Sequence, residues 1–142
     1  MKVLFDTNVI LDVLLDREPF SEPAAQLMSK VEKSEVEGFI YATTVTTIHY
    51  LISKILGNNA AKKHIKSLMS LFEIAPVTRT VLENALVNQF KDFEDSVLHE
   101  SAVHSGSEYI VTLNINDFKN SKIPVFEPVE LINVIENLKN NG

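Results

Sequence analysis

Three places in the chain put oxygen ligands where chemistry can be done. Asp6 follows the apolar run Val3-Leu4-Phe5; Asp92, Glu94 and Asp95 open an apolar-periodic segment; Asn114 and Asp117 follow the run Tyr109-Ile110-Val111. A carboxylate ending a strand that is covered on both faces must be paired, hydrogen-bonded or bound to a cation. Several carboxylates packed within a few Å repel one another, so a site built from them needs raised pKa values or a neutralising metal ion. Hard oxygen ligands suit Mg2+ or Mn2+, which keep several waters and bridge to phosphates. The reaction such a site supports is hydrolysis of a phosphodiester, one ion activating a water and a second stabilising the leaving oxygen.

Taken singly, each cluster also has a structural reading. Asp6 can simply cap a helix, acids in a first helical turn interact favourably with its dipole, and Asn114 with Asp117 can shape a turn. Convergence is what separates the two readings. In a right-handed doubly wound sheet, strand ends and helix starts share one edge, so the three clusters can meet there. On a helix Asp92 and Asp95 lie roughly 60° apart, and Glu94 is expected to point elsewhere, so Asp92 and Asp95 are the pair expected to carry the chemistry with Asp6.

The elements that must position these groups follow from periodicity. After the first strand, Val9, Ile10, Val13 and Leu14 predict a short helix over about residues 7–15, capped by Thr7 or Asn8, with Asn8, Asp12 and Asp16 sharing a polar face. Ser21-Glu22-Pro23 starts a second helix running to about Ser34. A second strand is expected over 38–42, a helix from Thr43 or Thr44 to Ile55 stopped by Gly57, and another over about 60–71. A third strand over 72–77, a helix over about 78–90, the acid-opened helix ended by Gly106, a strand over 108–112, a last strand over 123–126 and a helix through Leu138 complete the chain. Only residues 140–142 are expected to fray. Strand and helix patterns alternate throughout, which predicts a single α/β domain over residues 1–142: a three-layer α/β/α sandwich around a mainly parallel sheet of about five strands.

Composition narrows the function. The chain has 142 residues, enough for one core without staples, and no apolar run approaches the roughly 18–20 residues that cross a bilayer. The opening run meets Asp6 after three apolar residues and does not read as a signal peptide. Absence of cysteine excludes thiolate zinc sites and is compatible with a reducing cytoplasm, where the protein is expected to work. A net charge of −6 argues against gripping nucleic acid by charge alone. Lys54, Lys62, Lys63 and Lys66 nevertheless form a local basic region that could contact RNA, the alternative being a solvated helix surface. His49, His64, His99 and His104 show no ligand spacing with the acids and read as packed or exposed, with His99 placed nearest to Asp95. No local motif marks a serine nucleophile with its base.

At this point the chain resembles the PIN domain family. The matching stretches are Val3-Leu4-Phe5-Asp6-Thr7-Asn8-Val9-Ile10-Leu11-Asp12, Asp92-Phe93-Glu94-Asp95, and Tyr109-Ile110-Val111-Thr112-Leu113-Asn114-Ile115-Asn116-Asp117-Phe118, in that order across nearly the whole chain. The resemblance implies a Mg2+- or Mn2+-dependent ribonuclease of the kind used as toxins, an antitoxin protein as partner, and a homodimer. It implies metal ligation by Asp6, Asp95, Asn114 and Asp117, catalysis with Asp92, and support from Asn8, Asp12, Glu94 and Thr47. Relatives place a second acid near the start of the third helix; here the best-matching residue is Thr47, and Asn114 stands where aspartate is frequent. Fewer carboxylates imply weaker metal binding, so the alternative is a catalytically weak or inactive PIN-like module that binds RNA or protein. A phosphoacceptor signalling domain would need a lysine after the last strand, where Glu127-Pro128 stands instead.

Overall fold

The computed structural model describes residues 1–141, so the expected fraying at 140–142 falls partly outside it. Five parallel strands, β1 (Lys2–Phe5), β2 (Glu37–Tyr41), β3 (Glu73–Ala75), β4 (Tyr109–Val111) and β5 (Val125–Phe126), run in the order β3-β2-β1-β4-β5. The helices are α1 (Thr7–Leu14), α2 (Ser21–Glu32), α3 (Ala42–Leu56), α4 (Asn58–Leu71), α5 (Arg79–Val87), α6 (Phe93–His104) and α7 (Pro128–Asn141). A 3-10 turn over Ile115–Phe118 follows β4. The expected three-layer α/β/α sandwich is what forms, with all five strands parallel.

Alternation along β1 divides the core. Val3 and Phe5 face a cluster containing Val9, Ile10, Leu27, Ile48, Ile52 and Leu131, contributed by α1, α2, α3 and α7. Leu4 faces the opposite cluster, in which Val81, Ala85, Val97, Leu98 and Ala102 come from α5 and α6. Helices therefore cover both faces, which is why the strands read as continuous apolar runs. The chain winds outward from β1 to β3, then returns to lay β4 on the other side of β1. Asp6 at the end of β1 and Asn114 after β4 thus straddle the point where strand order reverses, the usual crevice of an open α/β sheet.

Local details depart from expectation in instructive places. The cap of α1 is Asp6, one of the two roles expected of it, its carboxylate accepting from Thr7 N–H, and Thr7 and Asn8 lie inside the helix instead of capping it. α3 begins at Ala42 with no side-chain cap, so Thr43 and Thr44 lie inside its first turn; Thr44 is buried and shares a 2.7 Å hydrogen bond with Thr7 across the two helices. The shared polar face of Asn8, Asp12 and Asp16 does not form. α1 stops at Leu14, Asp16 turns to a left-handed backbone at φ 48, and Asp12 is buried with Arg17 Nε 3.8 Å from Oδ1. Its other oxygen has no partner, and burial raises its pKa against the opposing pull of Arg17. α7 remains helical through Asn141.

Gly38 permits the closest approach in the sheet. A Cβ there would meet two ring carbons of Phe72 at 2.8 Å and Val31 Cγ1 at 2.9 Å. Overpacking of this kind costs about 1–3 kcal/mol, so Gly38→Ala should lower the urea midpoint by that amount of stability without changing the slope of the transition.

Candidate active site

Asp6 sits where β1 leaves the core. Its backbone N–H is bonded to the Val111 carbonyl at 2.9 Å, fixing it against β4. One carboxylate oxygen accepts from Thr7 N–H at 2.7 Å and the other from the Thr112 hydroxyl at 2.8 Å. Both bonds favour the charged form, as does the N-terminus of α1. Burial nevertheless outweighs them and raises the Asp6 pKa, with smaller like-charge contributions from Glu94 and Asp117.

Asp95 approaches from the other layer. Asp92 caps α6, its Oδ1 accepting from Asp95 N–H at 3.0 Å. Asp95 is half-buried, and its carboxyl is pushed up to about 7, first by burial and then by Asp92, Asp6, Asp117 and Glu94. Charges from β1, α6 and the turn after β4 therefore act on one group. The three separate clusters of the sequence do converge, and Asp92 both caps the helix and loads it with charge.

Glu94 does not point elsewhere, as its position on the helix had suggested. Its side chain reaches the end of β2, where the Tyr41 hydroxyl donates to Glu94 Oε1 at 3.3 Å. Tyr41 is otherwise buried, and burial followed by Glu94 and Asp6 raises its pKa, while the Thr43 side chain contacts the same hydroxyl and opposes that rise. Thr47 lies one turn beyond Thr43 on α3 and brings no charge.

The turn carrying Asn114 and Asp117 is tied down from three sides. Thr112 Oγ1 accepts from Asn114 N–H at 3.1 Å while donating to Asp6, so one hydroxyl links both clusters. Asn8 Oδ1 receives Leu113 N–H at 3.5 Å, a long contact that places Asn8 beside this turn. Further on, fully buried His99 uses Nε2 to accept from Lys122 N–H at 3.0 Å, and its ring packs against Phe90 at 4.9 Å. His99 is therefore packed, as read, and its pKa is lowered by burial, which keeps the acceptor lone pair available.

Between α6 and this turn opens a cleft of about 370 Å3 lined by Asp92, Asp95, Asp117, Lys91, Lys119 and Asn120, among others. Lys91 and Lys119 are the functional candidates missed in the sequence. They were visible only as the neighbours of Asp92 and Asp117, and nothing in their spacing marks them. Lys54, Lys62, Lys63 and Lys66 are all exposed, on α3 and α4, and none lines the cleft. Lys54 is twelve residues into α3, about 18 Å along its axis from the edge where the acids gather.

The donor set is oxygen only. Among the described residues no three Asp, Glu or His side chains close around a single point as a finished metal-ligand group. Among the described residues no lysine, arginine or histidine forms an ion pair with Asp6, Asp92, Asp95 or Asp117, like charge adds to burial in raising the Asp6 and Asp95 carboxyls, and a hydrated divalent ion retaining several waters fits such a loosely spaced set.

An acid-lined crevice at the switch point of a parallel α/β sandwich is the class of site defined so far. The PIN domain family model matches residues 2–116, and the chain belongs to that family. Ribonuclease VapC1 of Aquifex aeolicus is 27% identical over 134 residues, covering 91% of this chain and 92% of that protein. Among solved structures, a toxin-antitoxin complex from Klebsiella pneumoniae is 23% identical with a TM-score of 0.67, covering 89% of this chain and 97% of that one. FitAcB from Neisseria gonorrhoeae is 20% identical with a TM-score of 0.68, covering 89% and 98%. These structures share the fold.

The raised pKa of Asp95 has a stability consequence. Between its ordinary value of 3.8 and about 7, the folded chain holds a proton that the unfolded chain releases. Metal-free stability therefore falls as pH rises through that window. Asp95→Asn should raise Tm by a few degrees at about pH 8 and have a much smaller effect at about pH 5, read by calorimetry in chelator.

Proposed function

We propose that this protein is a divalent-metal-dependent endoribonuclease acting as the toxin of a toxin–antitoxin pair. The observation that carries the reading is the convergence of Asp6, Asp95 and Asp117 from three distant segments on one under-neutralised crevice. Similarity to Ribonuclease VapC1 over nine-tenths of both chains supports RNA as the substrate. Asp6, Asp95, Asn114 and Asp117 would hold Mg2+ or Mn2+, with Asp92 beside them. When bound, such an ion lowers the pKa of a water nucleophile and offsets charge on the phosphate. Thr112 and Thr7 orient Asp6, and Asn8 steadies the turn that carries Asn114. Lys91 and Lys119 flank the acids and are placed to receive backbone phosphates entering the cleft, while Lys54, Lys62, Lys63 and Lys66 could meet a longer RNA farther away.

Likeness to toxin–antitoxin structures supports an antitoxin as protein partner. A shallow groove formed by Pro19, Phe20, Pro23, Pro128 and Val129 opens next to Asn114 and offers an apolar seat close to the acids. Leu82, Leu86 and Val87 are exposed together on α5 and suit self-association into a homodimer. No helix among the described residues is long and apolar enough to cross a membrane, and we place the activity in the cytoplasm.

A second reading, a weak or inactive module that binds RNA or protein, is favoured by one observation: Thr47 stands where the resemblance puts a carboxylate. A fluorogenic RNA assay across a Mn2+ series separates the two. Under the first reading, cleavage is Mn2+- or Mg2+-dependent, and Asp6→Asn and Asp95→Asn each reduce it by at least about 100-fold, the scale of losing one electrostatic element of an active site. Equal rates in wild type and both variants would sink it.

A further inference from the structure

We infer that Glu94, held by Tyr41, supplies to the metal site the carboxylate that α3 lacks. The inference rests on the metal-dependent reading above and adds a ligand to it.

Several facts set the exposed Glu94 side chain beside the acid cluster rather than away from it. Tyr41 is the last residue of β2, the strand beside β1, so its backbone ends level with Asp6 at the same edge of the sheet. Its ring is buried, which fixes where the hydroxyl lies, and that hydroxyl donates to Glu94 Oε1 at 3.3 Å. Glu94 acts electrostatically on Asp6, at the end of β1, and on Asp95, in α6. Asp117 acts on the same two groups, so Glu94 belongs to one cluster with all three.

The hydrogen-bond inventory leaves room for a cation. Tyr41 has one proton to give, and it goes to Oε1. Oε2 and the remaining lone pairs of Oε1 make no other hydrogen bond to the protein. Among the described residues no lysine or arginine forms an ion pair with Glu94, nor with Asp6, Asp92, Asp95 or Asp117, whereas acids elsewhere such as Asp12, Glu35 and Glu136 are paired. A glutamate at the second position of a helix is ordinarily explained by the dipole alone. That explanation gives no reason for its side chain to lean toward two other carboxylates and a buried tyrosine.

α3 makes the requirement concrete. It enters the same edge immediately after Tyr41, and its first two turns carry Thr43, Thr44, Thr46 and Thr47, with no carboxylate. Thr44 is consumed by Thr7, and Thr43 contacts the Tyr41 hydroxyl. With no acid on α3, Glu94 from α6 is the carboxylate that reaches the end of β2 where α3 begins, with Tyr41 as the positioning residue.

Mn2+ binding tests this independently of turnover. Titration calorimetry, with electron paramagnetic resonance of free Mn2+ as a cross-check, is run on wild type, Asp95→Asn, Glu94→Gln and Tyr41→Phe. Glu94→Gln should weaken Mn2+ about tenfold, and Tyr41→Phe should weaken it by a smaller factor, because the charge remains while its position is lost. The Glu94 side chain is exposed, so the glutamine variant should fold, which its metal-free Tm verifies. Unchanged affinity in Glu94→Gln beside a clear loss in Asp95→Asn would overturn the role of Glu94 and leave the metal-dependent reading standing. Failure of the wild type to bind millimolar Mn2+ would overturn both.

Discussion

Desolvation of the Asp6 carboxylate is the constraint on which the remainder of the site depends. β1 is the middle strand of five, and Val3, Leu4 and Phe5 are wholly buried, so whatever follows Phe5 emerges from a dry layer. Two hydrogen bonds and the N-terminus of α1 all favour the anion there, and burial still wins. Every other acid that arrives, from α6 or from the turn after β4, makes the shortage of positive charge worse. The fold brings carboxylates together beyond what its own cations neutralise, and the two lysines of the cleft sit at its rim.

Holding such groups in place takes unusual packing in α6. Seven consecutive residues, Ser96 to Ala102, are buried, so the helix has no solvent stripe along its middle. Its polar members are bonded inward: Ser96 Oγ donates to the Ala85 carbonyl, Ser101 Oγ to the Pro76 carbonyl, and Glu100 is held by Asn88 and His104. His99 ties the helix to Lys122 beyond the Asp117 turn, and Phe90 and Phe118 meet edge-on between them. The two walls of the cleft are thereby joined to each other below the acids. On this helix His99 Nδ1 remains unpaired; with Nε2 accepting, it carries the ring proton and lies 3.9 Å from Glu100 Oε1.

Much of this was legible in the sequence, for identifiable reasons. Apolar runs followed by Asp6 and by Asn114 gave parallel strands and their functional ends, because strands covered on both faces leave a continuous signal. Boundaries moved by one to a few residues where caps were misread: a side chain that suits a cap does not reveal which backbone N–H it will meet, as Thr43 and Thr44 show. Asp12 was placed on a polar face by periodicity alone, which cannot anticipate that α1 ends before a third turn. Glu94 was set aside by helical angle, yet a long side chain can swing to a partner on another element, and Tyr41 is fifty-three residues away. Lys91 and Lys119 were overlooked since single lysines beside acids are common, and only the turn after β4 folding against α6 makes them a pair.

Asp92 shows how closely stability and site chemistry are opposed here. As the cap of α6 it satisfies a backbone donor, a role worth about 1 kcal/mol that serine or asparagine could fill equally. As a charge it is the second-largest cause, after burial, of the raised Asp95 pKa, an effect that neither neutral residue would have. For stability alone a neutral cap would therefore be preferable, because it keeps the hydrogen bond and relieves the repulsion. The presence of aspartate is understandable if the folded chain normally meets a cation at this edge, since the same charge then becomes attractive. The charges of Asp92 and Glu94 carry that sign: each repels Asp95 among carboxylates alone and would be offset by a divalent ion lying among them.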